Sequence, residues 1–147
     1  MSIEIRKASE NDFNAIFELL KEFAEFIKTP EKVTLTLEQM QKDKDYFNSL
    51  IATDNNNVIG FATYFFAYYS WTGKTLYIDD LFIIQQYRGK GIGTTLINSL
   101  INIAKQENCK KMRWQVSNWN KPAIEFYKRL GAEIDGVEQN CLLNLTC

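Results

Sequence analysis

Hydrophobic residues recur along this chain at two different spacings, and these spacings predict its helices and strands. Apolar side chains return every three to four residues over 13–27 and again over 92–106, which predicts two amphipathic helices. Two shorter helices are predicted at 36–43 and 121–130. Asn120 stands where an N-cap of the last helix is expected, because its side chain can accept a hydrogen bond from the first turn.

Runs that alternate between apolar and polar residues, or that are continuously apolar and aromatic, predict the strands. They cover residues 2–7, 48–53, 58–68, 74–84 and 111–116, and a final strand is predicted near 140–146. The Asp and Asn residues at 54–57 predict a hairpin turn. This order of elements predicts one α/β (α+β) domain over residues 1–147, with a mixed, largely antiparallel sheet flanked by helices.

A basic turn with glycine at every second position joins the fourth predicted strand to the long helix. The glycines are Gly89, Gly91 and Gly93, and Arg88 and Lys90 add positive charge beside them. Glycine allows positive φ and lets another group approach the main chain closely. The first N–H groups of a helix lack internal partners and carry the positive end of its dipole. The turn therefore predicts a phosphate-binding site.

The spacing of these glycines excludes two common nucleotide-binding loops. A P-loop requires GxxxxGK[ST], but Thr94 stands five residues after Gly89 and no Gly-Lys pair follows. A dinucleotide fingerprint, GxGxxG, would also require its third glycine at position 94. A glycine-rich turn without a ligand is the remaining alternative. We disfavour it because three glycines before a helix weaken the chain without a compensating use.

The composition of the chain argues against several classes of function and of catalytic group. A formal net charge of −1 argues against a general nucleic-acid surface, and no apolar run is long enough to predict a membrane span. Three widely spaced cysteines predict neither a metal site nor a disulfide framework, so a reducing cytoplasm is expected. The chain has no histidine, which excludes imidazole as acid, base or metal ligand.

Two kinds of ionisable residue remain as candidates for chemistry. Asp79 and Asp80 interrupt an apolar strand, and alternation along a strand would direct one of them inward or into a cleft. Such a carboxylate either bonds a neighbouring loop or attracts a cationic amine and helps to remove its proton. Tyr127 is either a packing residue or an acid for a departing thiolate, since a phenol titrates near ~10 and a thiol near ~8.5.

Several stretches in combination resemble a known family. Residues 86–91, QYRGKG, fit the pattern [Q/R]-x-x-G-x-[G/A] and resemble the pyrophosphate loop with which the GNAT superfamily of N-acetyltransferases binds acetyl-CoA. WxGKxLYIDD at 71–80, YRGKGIG at 87–93 and WNxPxxxFYKRxGA at 119–132 together resemble the spermidine/spermine (diamine) acetyltransferase branch.

This resemblance implies an acetyl-CoA-dependent N-acetyltransferase, which acetylates a primary amine of a small acceptor by direct attack. The acceptor would be a short diamine or polyamine-like molecule, with no nucleic-acid or membrane partner, and a homodimer is suggested. Two alternatives stay open: an acetyltransferase for a lysine-like amino acid or a peptide amine, and a non-catalytic CoA-binding regulatory module.

The resemblance also implies roles for individual residues. Tyr127 would be the general acid, and Asp79 stands where the branch has a glutamate that contacts the acceptor amine. Acceptor contacts are expected from Asp79, Asp80, Trp71 and Phe26. Acetyl-CoA contacts are expected from Leu81, Phe82, Ile83, Gln86, Tyr87, Arg88, Gly89, Lys90, Gly91, Ile92, Gly93, Thr94, Asn120, Pro122 and Ala123.

The chain departs from the branch at three positions where an acid is expected. Uncharged residues stand there: Ile27, Tyr69 and Gln139. An ammonium desolvated opposite an apolar side chain is unfavourable. We therefore expect a short diamine, or a lysine-like amine with one distal charge, to be preferred over spermine.

Overall fold

The computed structural model describes residues 1–137 and 139–145, which form two compact units. The first unit, Met1–Trp114, contains the sheet and the first three α-helices, and the second unit begins at Gln115 and contains the last helix. In chain order the elements are β1 (Ile3–Lys7), α1 (Phe13–Phe26), α2 (Leu37–Lys42), β2 (Asn48–Asp54), β3 (Asn57–Tyr69), β4 (Gly73–Ile83), α3 (Ile92–Gln106), β5 (Lys111–Arg113) and α4 (Lys121–Arg129). Single 3-10 turns lie at Glu10–Asp12, Pro30–Lys32 and Gln85–Tyr87.

The five strands form one sheet in chain order, β1-β2-β3-β4-β5. The first three pairings are antiparallel and the β4–β5 pairing is parallel, with α3 as the crossover between them. The predicted mixed, largely antiparallel α/β architecture is thereby confirmed. The β4–β5 ladder ends where Tyr77 pairs with Arg113, whereas β4 itself continues to Ile83.

Two strand predictions differ from the structure. β5 ends at Arg113 rather than at residue 116. The final strand predicted near 140–146 is not formed over 140–145, and residue 146 lies outside the described residues. The apolar side chains that suggested it, Leu142, Leu143 and Leu145, are exposed. An apolar pattern becomes a strand only where a neighbouring strand takes up its backbone N–H and C=O groups, and sequence pattern alone does not supply that neighbour.

Packing of α1 onto the sheet fixes the end of β4. Phe13 and Ile16 of α1 join Met40 of α2, Phe61 of β3 and Phe82 of β4 in one buried cluster. Burying each such side chain contributes about 1.5–3 kcal/mol. The helix α3 packs against β4, β2 and β1. No helix in the described part of the chain has the length and apolarity to span a membrane.

We predict that Gly60 allows β3 to approach the end of β4. It is buried and pairs with Ile83, and a Cβ there would lie 2.5 Å from Ile83 Cδ1 and 3.0 Å from the Phe82 carbonyl oxygen. The Ile83 side chain can rotate away, but the Phe82 carbonyl moves only if β4 shifts. Gly60→Ala should therefore lower the free energy of unfolding by about 1–3 kcal/mol in urea titration.

Gly136→Ala is the control, because a Cβ at Gly136 meets nothing within 4 Å. It should leave the urea midpoint unchanged. Equal midpoints for the two variants would show that β4 tolerates a side chain at Gly60.

Candidate active site

A β-bulge interrupts β4 at the two carboxylates. The β3–β4 register pairs Thr63 with Asp80 and Tyr64 with Ile78, which leaves Asp79 as the extra residue of β4. The Asp80 N–H donates a hydrogen bond to Thr63 Oγ1 at 3.0 Å. The hydroxyl oxygen of Thr63 thus accepts the hydrogen bond that, in a regular ladder, a main-chain carbonyl of β3 would accept. A bulge bends its strand and redirects the side chains at that point.

The bulge removes the basis for the expectation that Asp79 and Asp80 point to opposite faces. Strict alternation holds only along an unbroken ladder. Asp79 is exposed and Asp80 is half-buried. Burial and, to a smaller extent, the charge of Asp79 raise the pKa of Asp80 to about 6, and burial also raises the pKa of Asp79. The two carboxylates therefore lie close enough to repel each other, and each is partly withheld from water.

The glycine turn leads from β4 to the N-terminus of α3. Gly89 and Gly91 have φ of +76° and +80°, a left-handed conformation that glycine adopts without strain. Gly91 is the N-cap of α3 and provides no side chain to accept from the first-turn N–H groups. A Cβ at Gly89 or Gly91 would meet nothing within 4 Å, so there is open space beside the turn. An uncapped helix N-terminus next to open space is the arrangement that binds anions.

A hydrogen bond from Tyr87 anchors this turn to the sheet. The Tyr87 hydroxyl donates to Asp54 Oδ2 at 2.5 Å, and Asp54 Oδ1 accepts from the Ser2 N–H at 2.8 Å. The bond to Tyr87 lowers the pKa of Asp54 and raises that of Tyr87. The turn is therefore held against the β2–β3 connection.

Arg88 is directed at β4 and α1. Its Nε donates to the Ile83 carbonyl at 2.8 Å. Its guanidinium lies 4.4 Å from the Phe26 ring centroid and 5.4 Å from that of Phe82. Such stacking is favourable because the face of an aromatic ring is electron-rich. Arg88 thus ties together the end of α1, the end of β4 and the turn, while the exposed Lys90 is the other cation of the turn.

The predicted acceptor contacts lie at different places in the first unit. Phe26 ends α1 and is half exposed, beside Arg88 and the glycine turn. Trp71 lies in the β3–β4 loop at the other end of β4 and is 96% exposed. It lines a cleft of about 250 Å³ together with Tyr69, Ser70, Thr72 and Arg113. The bulge with Asp79 and Asp80 lies between these two positions along β4.

The predicted site residues of the second unit lie on α4 and its cap. Asn120 Oδ1 accepts from the Ala123 N–H at 3.3 Å, and Pro122 lies in the first turn, so the predicted capping is confirmed. Tyr127 lies on α4 with its ring centroid 5.5 Å from that of Phe126. Burial raises the pKa of Tyr127. The roles of these residues toward acetyl-CoA stay predictions.

Two contributors to this arrangement were not predicted from sequence. One is Thr63. In the sequence, only its polar hydroxyl within the aromatic run 58–68 could have pointed to it. The other is Asp54, which looks like an ordinary turn residue in the sequence. Both act through partners that are distant along the chain.

Comparisons with known proteins identify the family to which the chain is similar. The model of the acetyltransferase (GNAT) family matches residues 13–132. The chain is 35% identical over 144 residues to the thialysine N-epsilon-acetyltransferase of Mus musculus, covering 90% of this chain and 85% of that protein. It is 35% identical over 140 residues to the spermidine/spermine N(1)-acetyltransferase-like protein 1 of Homo sapiens, covering 88% of this chain and 20% of that protein.

The fold also agrees with a solved structure. An aminoglycoside acetyltransferase from an uncultured soil metagenomic sample superposes with a TM-score of 0.82 at 21% identity, covering 97% of both chains. The family match extends from the first residue of α1 past the end of α4. This chain therefore belongs to the GNAT family and is an N-acetyltransferase.

Proposed function

We propose that the chain transfers an acetyl group from acetyl-CoA to a primary amine of a small acceptor with a second charged group. The acceptor is a short diamine or a lysine-like amino acid. The observation that carries this proposal is the pair of carboxylates at the bulge, Asp79 and Asp80, in the stretch of β4 beyond its ladder with β5. Relatives named for thialysine and for spermidine and spermine support an acceptor with a distal amine.

The glycine turn fits the pyrophosphate of acetyl-CoA. The N–H groups from Gly89 to Gly93 and the exposed ammonium of Lys90 provide donors and positive charge beside open space. Arg88 is already bonded to Ile83 and stacked on Phe26, so its contribution is to hold the strand end in place. Tyr87 likewise holds the turn through Asp54.

The end of β4 offers main-chain groups to the rest of the cofactor. Within the described residues, β4 has no ladder partner on its β5 side after Tyr77. We propose that main-chain groups of Leu81, Phe82 and Ile83 bind the amide-bearing arm of CoA much as they would bind an added strand. Asn120, Pro122 and Ala123 are proposed to contribute from the start of α4.

The carboxylates prepare the acceptor for attack. An alkyl ammonium has an ordinary pKa near ~10, so an amine at neutral pH must lose a proton before it can act as a nucleophile. Asp79 attracts the ammonium, and Asp80, with its pKa raised to about 6, takes the proton directly or through water. The amine nitrogen then bonds to the acetyl carbon, the carbon–sulfur bond breaks, and Tyr127 gives its proton to the departing sulfur.

A cytoplasmic location is proposed from the three widely spaced cysteines, and assembly from the resemblance alone. A homodimer is what the diamine branch implies. Light scattering after size exclusion tests the dimer.

An amine panel tests the proposed function, with thiol release as readout. Acceptors with one distal charge, such as diaminopropane, putrescine, lysine and thialysine, should give a higher kcat/KM than spermine. The reason is that the positions expected to hold further anions are the uncharged Ile27, Tyr69 and Gln139.

The same panel tests Asp79. Asp79→Asn should raise KM for the amine about tenfold or more, because a charge-assisted hydrogen bond is lost, and should leave KM for acetyl-CoA unchanged. Asp45→Asn, at an exposed site away from the bulge, is the control. Spermine as the best substrate by a clear margin, or an unchanged amine KM in Asp79→Asn, would contradict this view of the acceptor site.

We predict that Gly91→Val weakens acetyl-CoA binding at least tenfold in calorimetry. Valine is strained at a φ of +80°, and its side chain fills space beside the turn. Gly131→Val is the matched control, because Gly131 has a φ of +92° but follows α4. The control should lose stability and keep its affinity. Unchanged affinity in a folded Gly91→Val protein would place the pyrophosphate elsewhere.

Tyr127→Phe keeps the ring and removes the hydroxyl. We expect kcat to fall about 10²-fold, with acetyl-CoA affinity largely retained, because only protonation of the leaving sulfur is lost. Tyr46→Phe, at a residue that is 84% exposed, should leave kcat unchanged. Near-normal turnover in Tyr127→Phe would reduce Tyr127 to a packing residue.

The raised pKa of Asp80 predicts that its charge destabilises the fold. A folded-state pKa of about 6, above the ordinary value near ~4, means that the folded protein holds this proton more tightly than the unfolded chain. The free energy of unfolding therefore falls as pH rises from about 4 through 6, because Asp80 loses its proton over this range. Asp80→Asn has no charge to bury. Its free energy of unfolding at pH 7.5 should therefore be about 1–3 kcal/mol higher than that of the native protein.

The pH dependence separates this effect from simple repacking. Chemical denaturation at pH 4.5 and pH 7.5 should show a gain of Asp80→Asn that is about threefold larger at the higher pH, because the folded carboxyl is still protonated at the lower pH. Asp45→Asn, at an exposed position, should show no gain at either pH. A gain of equal size at both pH values would mean that the carboxylate is not destabilising.

A further inference from the structure

The cleft beside Trp71 contains a guanidinium without an acidic partner. Arg113 lines this cleft of about 250 Å³, is exposed, and stacks 4.4 Å from the Tyr69 ring centroid. No salt bridge among the described residues involves Arg113. The Ser70 and Thr72 residues of the β3–β4 loop line the same cleft. A guanidinium carries its N–H donors in a planar fork that fits a carboxylate.

The sheet register places the main chain of Arg113 two residues before the bulge of β4. Arg113 pairs with Tyr77, two residues before Asp79 on β4. At about 3.3 Å per residue, the main chain of Asp79 lies about 7 Å beyond that of Tyr77. The guanidinium contacts the ring of Tyr69, which pairs with Gly73, so it lies on the other side of Tyr77 and the two charges are further apart than this. Tyr77 lies within the influence of both charges, because Asp79 raises its pKa and Arg113 lowers it, although burial is the largest cause of its shift. A cation and an anion thus lie on either side of Tyr77.

An apolar wall lies beside Tyr77. The ring of Phe65 stacks on that of Tyr77 with centroids 5.0 Å apart and planes at 22°. Phe65 is 40% exposed, so this pair presents flat apolar surface to solvent. Such a surface suits a chain of methylene groups between two charged ends.

We propose that Arg113 binds the carboxylate of an amino-acid acceptor whose side-chain ammonium lies at Asp79. This inference rests on the proposed function and names the acceptor class within it. The six bonds from the carboxyl carbon of lysine to its side-chain nitrogen span about 7 Å when extended, and a hydrogen bond of about 3 Å at each end lets the molecule bridge two charges about 13 Å apart, one on each side of Tyr77. The second ammonium of a diamine would instead meet the like charge of Arg113, which disfavours it.

Two pairs of acceptors that differ only in a carboxylate test this proposal: lysine against cadaverine, and ornithine against putrescine. In the native enzyme, kcat/KM should be at least tenfold higher for each carboxylated member, with the acetyl group on the side-chain nitrogen by NMR. Arg113→Gln should lower kcat/KM about 10- to 100-fold for lysine and leave it unchanged or higher for cadaverine, because a charge-assisted bond is lost with lysine alone.

Two further variants keep the test specific. Lys111→Gln removes a neighbouring exposed cation of β5 and should keep the native preference for lysine over cadaverine. Arg113→Lys keeps the charge without the fork and should recover part of the activity toward lysine.

The outcomes distinguish this proposal from the proposed function. If cadaverine is as good an acceptor as lysine, if Arg113→Gln lowers both equally, or if the product is acetylated on the α-nitrogen, the carboxylate site is overturned and amine acetylation stands. The carboxylate site is also overturned, and amine acetylation stands, if amines other than lysine and ornithine are the only ones that release thiol. If no amine releases thiol from acetyl-CoA, the proposed function itself fails.

Discussion

The β-bulge in β4 is the feature on which the candidate site depends. It places one extra residue between Ile78 and Asp80, and the Thr63 hydroxyl accepts the hydrogen bond that the interrupted ladder leaves to the Asp80 N–H. Without that acceptor a main-chain N–H would remain unsatisfied within the sheet, at a cost of about 1–3 kcal/mol. With it, the sheet can hold two carboxylates next to each other and partly out of water. Their raised pKa values are the energetic consequence of this placement.

The glycine turn is flexible by composition and is fixed by two long side chains. Tyr87 bonds to Asp54, and Arg88 bonds to the Ile83 carbonyl while it stacks on Phe26. A loop that is already held in position loses less conformational entropy when it binds a ligand. Arg88 also connects the glycine turn with the end of α1. The sequence predicts an electrostatic role for this arginine, and the structure adds contacts that position the turn.

Features set by neighbouring residues were predictable, and features set by distant pairing were not. The helices, the Asn120 cap and the glycine turn follow from spacing within a few residues, and the structure confirms them. The bulge depends on how β3 registers with β4, and the Tyr87–Asp54 bond joins two residues that are far apart along the chain. The strand expected near 140–146 had the right pattern but no ladder partner over 140–145. The shorter β5 has the same origin, because its length is set by its pairing with β4.

The central claim is that two coupled carboxylates at the bulge prepare the amine, and a pH profile of kcat/KM tests it most directly. The acceptor should be fully protonated throughout pH 5–8, so that its own ionisation does not shape the curve. We predict that kcat/KM rises with pH through about 6 as Asp80 ionises. In Asp79→Asn that rise should move to lower pH, because the charge that repels Asp80 is gone. A profile with no rise near 6, or a rise that Asp79→Asn leaves in place, would contradict the coupling of the two carboxylates.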